Sequence, residues 1–473
     1  MKKSAVVLLV VAVAGAAYAG SSWYFGKRAQ AVIESSVAQL NSSLAGVQGQ
    51  EMVYKPLQVG VQSYERGWFS SHIVYRLSGA EGIELVLEDH LEHGPFPWSN
   101  VQQGQLQPVM GVSQARLSQP AALGDWKKDA GSTDAWLRAA SRIDMAGNID
   151  SLITLAPLTL RRSSETLTFS GGELTLNMAG DRSLSTLSGG FDHLNLSDAD
   201  LQQTIESTGI RLESTYRAPE GQAVTGQGKA TIARVAITET DVPQVIVAEN
   251  TVISYDSSQL KAVADGAVRY DVGRLLYGKE NLGSLSLGMK ISQLDTAAFA
   301  DFVTYYDSIS AGLDDDAQFT PEQEAGMHKR LLALLATRPA LSFDPLVWTT
   351  PAGESSLLAQ VELVQPAQSD AMDAGSALIQ ALGRVHLEAS VSRPMLVYLM
   401  EITETDPEAR AEMAEAGALL FDEYVSALAA EGYVRLDGDT ARAVITYEGE
   451  TVSINELKMP AADFLQLIFL MML

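Results

Sequence analysis

The sequence predicts an α+β protein: an N-terminal transmembrane helix, then an extensive, mostly antiparallel curved β-sheet, with helices concentrated in the C-terminal half. Three observations carry that prediction. Ser4 to Gly26 is an uncharged run of 23 residues with basic flanks. From Met52 the apolar residues recur with period two. After Asp295 helix-capping signals and spacings of three and four appear.

As a helix, the Ser4–Gly26 segment would reach about 34 Å at roughly 1.5 Å per residue, enough for a hydrocarbon core of about 30 Å. Lys2 and Lys3 flank one end, Lys27 and Arg28 the other, and Trp23 and Tyr24 stand where an interfacial aromatic belt would lie. Ala17-Tyr18-Ala19 also fits a small-x-small cleavage pattern, so a cleaved leader competes with an uncleaved anchor. The apolar and aromatic residues beyond that point, and the cationic far flank, favour the anchor. A short basic tail ahead of a large acidic body places the tail in the cytoplasm and the bulk outside, which in a Gram-negative cell means the inner membrane facing the periplasm.

Residues 27–50 read as an amphipathic stalk helix, with Ala29, Val32, Ile33, Val37, Leu40 and Leu44 on one face. A dimer seam and packing on the body compete for that face. Residues 51–294 read as a β-rich domain. Leu57, Val59 and Val61 alternate with polar residues, as do Ile73, Tyr75 and Leu77, and Leu285, Leu287, Met289 and Ile291. Gly171-Gly172, Gly189-Gly190 and Gly226-Gln227-Gly228 read as separators between strands. One apolar and one polar face per strand argues for antiparallel sheets wetted on one side. Pro95 to Gly131 reads as a long loop, followed by a short helix at Thr133 to Asp144.

Residues 295–473 read as an α+β region. Asp295 caps a helix over Thr296 to Ser310, and Thr320-Pro321-Glu322-Gln323 carries a capping box that opens a second. Leu341 to Val364 returns to strand around a turn at Pro351-Ala352-Gly353. Asp406-Pro407 opens a helix toward Ala430. Gly432 to Ile454 reads as a hairpin, and Pro460 starts a final apolar helix too short to span a bilayer.

The chain holds 33 basic and 58 acidic residues, a formal charge of −25. Setting aside the four basic residues near the amino terminus leaves 29 against 58, or −29 for the rest. Such a surface repels phosphate backbones, which excludes nucleic acid as a partner. There is no cysteine, which excludes disulfides, thiolate metal sites, iron–sulfur clusters and thiol nucleophiles. No nucleophile elbow, phosphate loop, dinucleotide fingerprint or His-Glu-x-x-His zinc motif occurs, and no cofactor is expected.

His90 and His93 form a His-x-x-His, but on a strand the two face opposite ways and no third metal ligand stands nearby. Asp314-Asp315-Asp316 lacks the spacing of a calcium loop and reads as a solvated linker. The most distinctive local string is Tyr64-Glu65-Arg66-Gly67-Trp68-Phe69-Ser70-Ser71. It reads as a bulged strand pinned by aromatics or as a ligand or partner contact, with Arg66, Trp68, Phe69 and His93 the candidate site residues.

In order along the chain, Trp23-Tyr24-Phe25-Gly26, the Tyr64–Ser71 string, His93-Gly94-Pro95-Phe96-Pro97, Thr349-Thr350 with Gly353-Glu354, and Tyr447-Glu448-Gly449 before Asn455 resemble the YdgA-like bacterial proteins, a domain of unknown function. Glu456 departs from the glycine that pattern has after Asn455, which puts the last turn in question. The resemblance implies an inner-membrane anchor, a periplasmic body and self-association, and it brings no catalytic residues. The Arg-Gly-Trp-Phe run is also similar to pieces of AsmA-like envelope proteins, whose curved sheets shield lipid, an analogy at the level of fold. The expected function is a non-enzymatic, membrane-anchored envelope binding or maintenance protein for a lipid or another apolar ligand. A self-associating scaffold or assembly factor, working as a homodimer or with an envelope protein, and an envelope hydrolase are the alternatives.

Overall fold

A computed structural model describes residues 18–31, 33–34, 37–38, 41, 58–79, 83–123, 127–128, 136–239, 242–310, 319–366, 380–449, 451–461 and 463–464. The chain divides into two units, Met1–Gln222 and Ala223–Leu473; the division falls inside the stretch 51–294 that reads as one β-rich region.

The first unit is an antiparallel meander. It begins with β1 (Gln58–Arg66), β2 (Ser70–Ser78), β3 (Ile83–His93), a one-turn helix (Trp98–Gln102), β4 (Gly111–Leu123), β5 (Lys127–Lys128) and β6 (Leu137–Ile143). Next, β7 (Ile149–Leu155) and β8 (Leu158–Arg162) fold back on β9 (Glu165–Phe169) and β10 (Gly172–Met178) as one long hairpin, interrupted at Ala156-Pro157 and Ser170-Gly171. A long β11 (Leu184–Asp198) pairs with β10 and β9 in turn and so spans the interruption; β12 (Gln203–Arg217) pairs along its other edge. Among the described residues β1 does not pair with β12, so this sheet is open.

Two expectations for this region are corrected. The Pro95–Gly131 stretch is no long loop, since it contains the one-turn helix, β4 and β5, and the helix expected at Thr133–Asp144 is strand β6. The inward row of β4 is Gly111, Ser113, Ala115 and Leu117, so small and polar residues hide its period. The edge of β4 then recruits β6 by register from Gly111↔Ile143 to Leu117↔Leu137, and pairing overrides the helical spacing. A further correction concerns the glycines. Gly171-Gly172 does break a strand, but Gly189-Gly190 lies inside β11, and Gly226-Gln227-Gly228 lies inside a strand of the second unit. A Cβ at Gly190 would stand 2.1 Å from the carbonyl oxygen of Ile210, so this glycine permits a close strand approach instead of a turn.

Residues 18–31 form a helix, α1, on the inner face of β1–β4. Its Ala29 is fully buried in a cluster with Ile73, Leu91, Met110 and Ile143, against which Phe25, Ile33, Val61, Tyr64 and Tyr75 pack. Thus Ala29 and Ile33, on the face expected of the stalk, pack on the body. Further along, the Asn41 amide donates to the Val59 carbonyl and accepts from the Val59 N–H, satisfying an edge position of β1. The greater part of the expected anchor, residues 4–17, lies outside the described residues; among those described no helix is long and apolar enough to cross a membrane. A second cluster gathers Leu117, Trp136 and Leu160.

The second unit is also a meander, interrupted twice by helices. It runs β13 (Val224–Glu239), β14 (Val242–Leu260), β15 (Val263–Tyr277), β16 (Glu280–Asp295), then helices Thr296–Ser310 and Pro321–Leu334. Next come β17 (Ala340–Thr350), β18 (Gly353–Leu363), β19 (Leu382–Ser392), helices Arg393–Glu401 and Pro407–Ala430, and β20 (Arg435–Asp437), β21 (Thr440–Glu448), β22 (Thr451–Ile454) and β23 (Leu457–Pro460). The expected caps are present: Asp295 accepts from Ala297 and Ala298 N–H at 3.0 Å, Thr320 and Gln323 form the capping box, and Asp406 caps the 24-residue helix. The helix Arg393–Glu401, capped by Ser392, adds an element to the sequence expectation. In the final turn Asn455 takes a left-handed φ of 52° and its side chain holds Val444 N–H, Gly432 O and Tyr433 O. Glu456 needs no such φ, so glycine is dispensable there. The end of the expected closing helix and Asp314-Asp315-Asp316 lie outside the described residues.

Register sorts the second sheet into two faces. One row runs from Tyr255 through Val268, Met289, Phe343, Ala359 and Leu387 to Ile445. The row beside it, on the opposite face, runs from Asp256 through Ala267, Lys290, Ser342, Gln360 and His386 to Thr446. Tyr255, Tyr270, Leu341, Phe343 and Leu357 on the apolar face remain exposed.

Candidate functional site

The hairpin β1–β2 turns at Gly67-Trp68-Phe69. The Gly67 N–H donates to Ser70 O at 2.8 Å, and a Cβ at Gly67 would lie 2.9 Å from the same oxygen, which is why the tight turn takes glycine. Ser70 pairs with Glu92, so the turn lies beside the exit of β3. The His93 N–H donates to Phe69 O at 2.8 Å and ties the two together.

Helix α1 crosses this corner on a stripe of small residues. Ser22, Gly26 and Ala29 are buried at spacings of four and three, one face of a helix. A Cβ on Gly26 would stand 2.7 Å from the His93 ring, and one on Gly94, whose φ is +115°, would stand 2.1 Å from Ser22 Oγ. The backbone of α1 therefore lies directly on the end of β3. His93, 1% exposed, shares a 2.8 Å hydrogen bond between Nε2 and Ser71 Oγ. The Arg66 guanidinium lies 5.4 Å from the Trp23 ring centroid, and Tyr18 stacks on Phe69 at 5.8 Å while its hydroxyl donates to Phe96 O at 2.7 Å.

Three of the four residues singled out from the sequence thus meet one object, the amino-terminal helix: Arg66 through Trp23, Phe69 through Tyr18, His93 through Gly26. Trp68 stays open to solvent in the same turn. Sequence reasoning missed Ser22, Gly26 and Ser71. The signal for Ser22 and Gly26 was their spacing as small residues, concealed inside a run that reads as membrane anchor; Ser71 closes the Tyr64–Ser71 string, and nothing local marks it as the partner of His93.

The chemistry available to the Ser71–His93 pair is limited. Both are buried, helix α1 covers them, and among the described residues no carboxylate hydrogen-bonds the ring to orient it as a base. His90 lies exposed on the other face of β3, opposite His72, as the strand reading expects. No group of three metal-ligating side chains forms among the described residues. Asp89, two positions before Leu91 on the inward row, accepts a 2.7 Å hydrogen bond from Ser113, and burial pushes its carboxyl above the usual range. A depression of about 490 Å³ between β10, β11 and β12 is lined by Gly172, Gly189, Gly190 and Arg211, but Arg211 is already held by Asp192 and the carbonyls of Phe191 and Ile210.

Burial lowers the His93 pKa, so the folded protein holds this ring neutral. The unfolded state then binds the extra proton first, and stability is lost as pH falls from the ordinary histidine value toward the lowered one. Corrected for the intrinsic pH dependence of amide exchange, the protection of residues 18–31 should fall below about pH 6.5, an effect His93→Gln should blunt. Protection independent of pH in this window would detach His93 from the helix seat.

These features define a class: an open, antiparallel α+β protein whose amino-terminal helix is built into its first hairpin. The chain belongs to the family described as "Bacterial protein of unknown function (DUF945)", whose model matches residues 1–462. It is 26% identical to Protein YdgA of Escherichia coli K12 over 98% of this chain and 96% of that protein. It is 22% identical to the uncharacterized protein YihF of the same organism over 95% of each. An uncharacterized Haemophilus influenzae protein is 31% identical over 26% of this chain and 33% of its own length. The YdgA-like resemblance is borne out; no solved structure matches.

Proposed function

We propose that the protein is held in the bacterial inner membrane by residues 4–26, carries its β units on the periplasmic side, and works by binding and maintaining envelope components instead of by catalysis. The observation that supports this reading most is the seat of α1. Tyr18, Ser22 and Gly26 belong both to the uncharged run and to the packed corner of the first unit. A chain cut after Ala19 would lose Tyr18 and its two contacts, which favours the uncleaved anchor. The acidic body and the Lys2-Lys3 tail favour the orientation.

A second observation favours a membrane lipid as the ligand. The apolar row of the second unit crosses successive strands about 4.8 Å apart and so runs on the order of 30 Å, a length suited to acyl chains more than to a compact solute. The test takes the full chain from membranes. Intact mass should retain the uncharged run, alkaline carbonate should leave the chain in the pellet, and protease added to spheroplasts should digest the body. Organic extraction of the purified chain should yield phospholipid, reduced several-fold in Tyr255→Asp/Phe343→Asp. A mature chain beginning at Gly20, or one free in the soluble fraction, would sink the anchored reading. Equal lipid in both chains would remove the ligand assignment alone.

A further inference from the structure

The first unit exposes large aromatics at one corner. Trp68 is 65% exposed, Phe69 49% and Trp98 67%, with Phe96 beside them. Elsewhere in the unit Trp136 is buried in a cluster. The four exposed rings come from two short segments, the β1–β2 turn and the exit of β3, which are neighbours because Ser70 pairs with Glu92. Their presentation is built: the Ser99 N–H and hydroxyl donate to Glu92 at 2.9 and 3.0 Å, which fixes the start of the one-turn helix and with it Trp98. From α1, Trp23 and Tyr24 add two more exposed rings.

We infer that this aromatic collar seats the body of the first unit in the headgroup layer of a lipid bilayer, an inference that rests on the anchored reading above and extends it from the helix to the folded body. Residues 4–17, immediately before Tyr18, carry no charge. Tyr18 itself stacks on the Phe69 ring and donates to the Phe96 carbonyl. With Tyr18–Gly26 seated on the body, residues 4–17 would reach only about 21 Å as a helix, short of a core of about 30 Å. A span that short thins the bilayer, lets Lys2 and Lys3 snorkel outward and pulls the rings around Tyr18 to the interface, where tryptophan and tyrosine are favoured. Along α1, at 1.5 Å per residue, Trp23 lies about 7 Å beyond Tyr18, roughly the depth of one interfacial layer. Lys27 and Arg28, both exposed, lie about 14 Å beyond it and face the phosphates from the water side. The body does not swing on a tether; it rests on the membrane surface in one orientation.

The test reconstitutes the full chain into vesicles of phosphatidylcholine and phosphatidylglycerol, with and without bromine at the 6,7 positions of the acyl chains. The chain has six tryptophans, and the collar holds Trp23, Trp68 and Trp98. Bromolipid should quench the wild-type emission, and in Trp68→Phe/Trp98→Phe the quenched part should fall to about one third while the chain still floats with the vesicles. Both positions are exposed, so phenylalanine leaves the fold intact. Flotation with unchanged quenching would place Trp68 and Trp98 in water and overturn the collar while the anchor stands. Flotation with Trp68 and Trp98 unquenched yet shielded from aqueous iodide would put a second copy of the chain on this corner and overturn the lipid assignment. Failure to float would overturn collar and anchor together.

Discussion

Gly26→Leu should loosen the amino-terminal helix from the first unit and cost it about 3 kcal/mol of unfolding free energy, the upper end for an overpacked site. The first added carbon already lies 2.7 Å from Cε1 and Nδ1 of His93, and leucine adds three more. The ring has little freedom to retreat, since Nε2 is held by Ser71 and the His93 N–H by Phe69 O. Relief can come only from withdrawal of the helix, which strips Ala29 and Phe25 from the core cluster. Urea unfolding of Gly26→Leu, His93→Ala and the double variant forms a cycle. Removal of the ring should recover at least about 1 kcal/mol of the loss, because residues in contact are not additive. Strict additivity would show that the helix and His93 do not meet in solution.

Leu91→Ala should cost about 2–5 kcal/mol, the range for a fully buried leucine. Leu91 is 0% exposed and belongs to a cluster drawn from four places: Ala29 of α1, Ile73 of β2, Met110 before β4 and Ile143 of β6. A cavity at that point cannot be filled by one neighbour without dragging another away, so collapse is poor and the cavity term is retained. The same unfolding assay reads the loss, and hydrogen exchange should show residues 18–31 opening with the strands. A loss under about 1 kcal/mol would mean that this cluster is not what holds the first unit together.

Much of the fold was legible because its code is local. Period-two alternation in Ile73-Tyr75-Leu77 and Leu285-Leu287-Met289 needs no partner to be read, and neither do the caps at Asp295, Thr320 and Asp406. Strands β4 and β6 were illegible because their inward rows are small or polar: Gly111, Ser113 and Ala115 on one, Ala139 and Ser141 on the other. The glycines misled for a related reason. Gly189-Gly190 has the composition of a turn, yet strand neighbours press so closely on β11 that no side chain fits. Arg66, Phe69 and His93 were recognised as unusual, but their common target was not, because it lies more than forty residues earlier in a segment that reads as lipid-facing.

The sequence alone determined the antiparallel α+β class, the acidic surface and the absence of cysteine chemistry, which follow from composition and short-range period, and its ordered motifs carried the resemblance to a bacterial family. Only the tertiary structure decided what the distinctive residues do. Ser22, Gly26 and Ala29 are ordinary small residues until β3 is laid against them, and His93 is an ordinary strand-end histidine until α1 covers it. Close packing is a property of two surfaces, and the period of either one alone does not encode it.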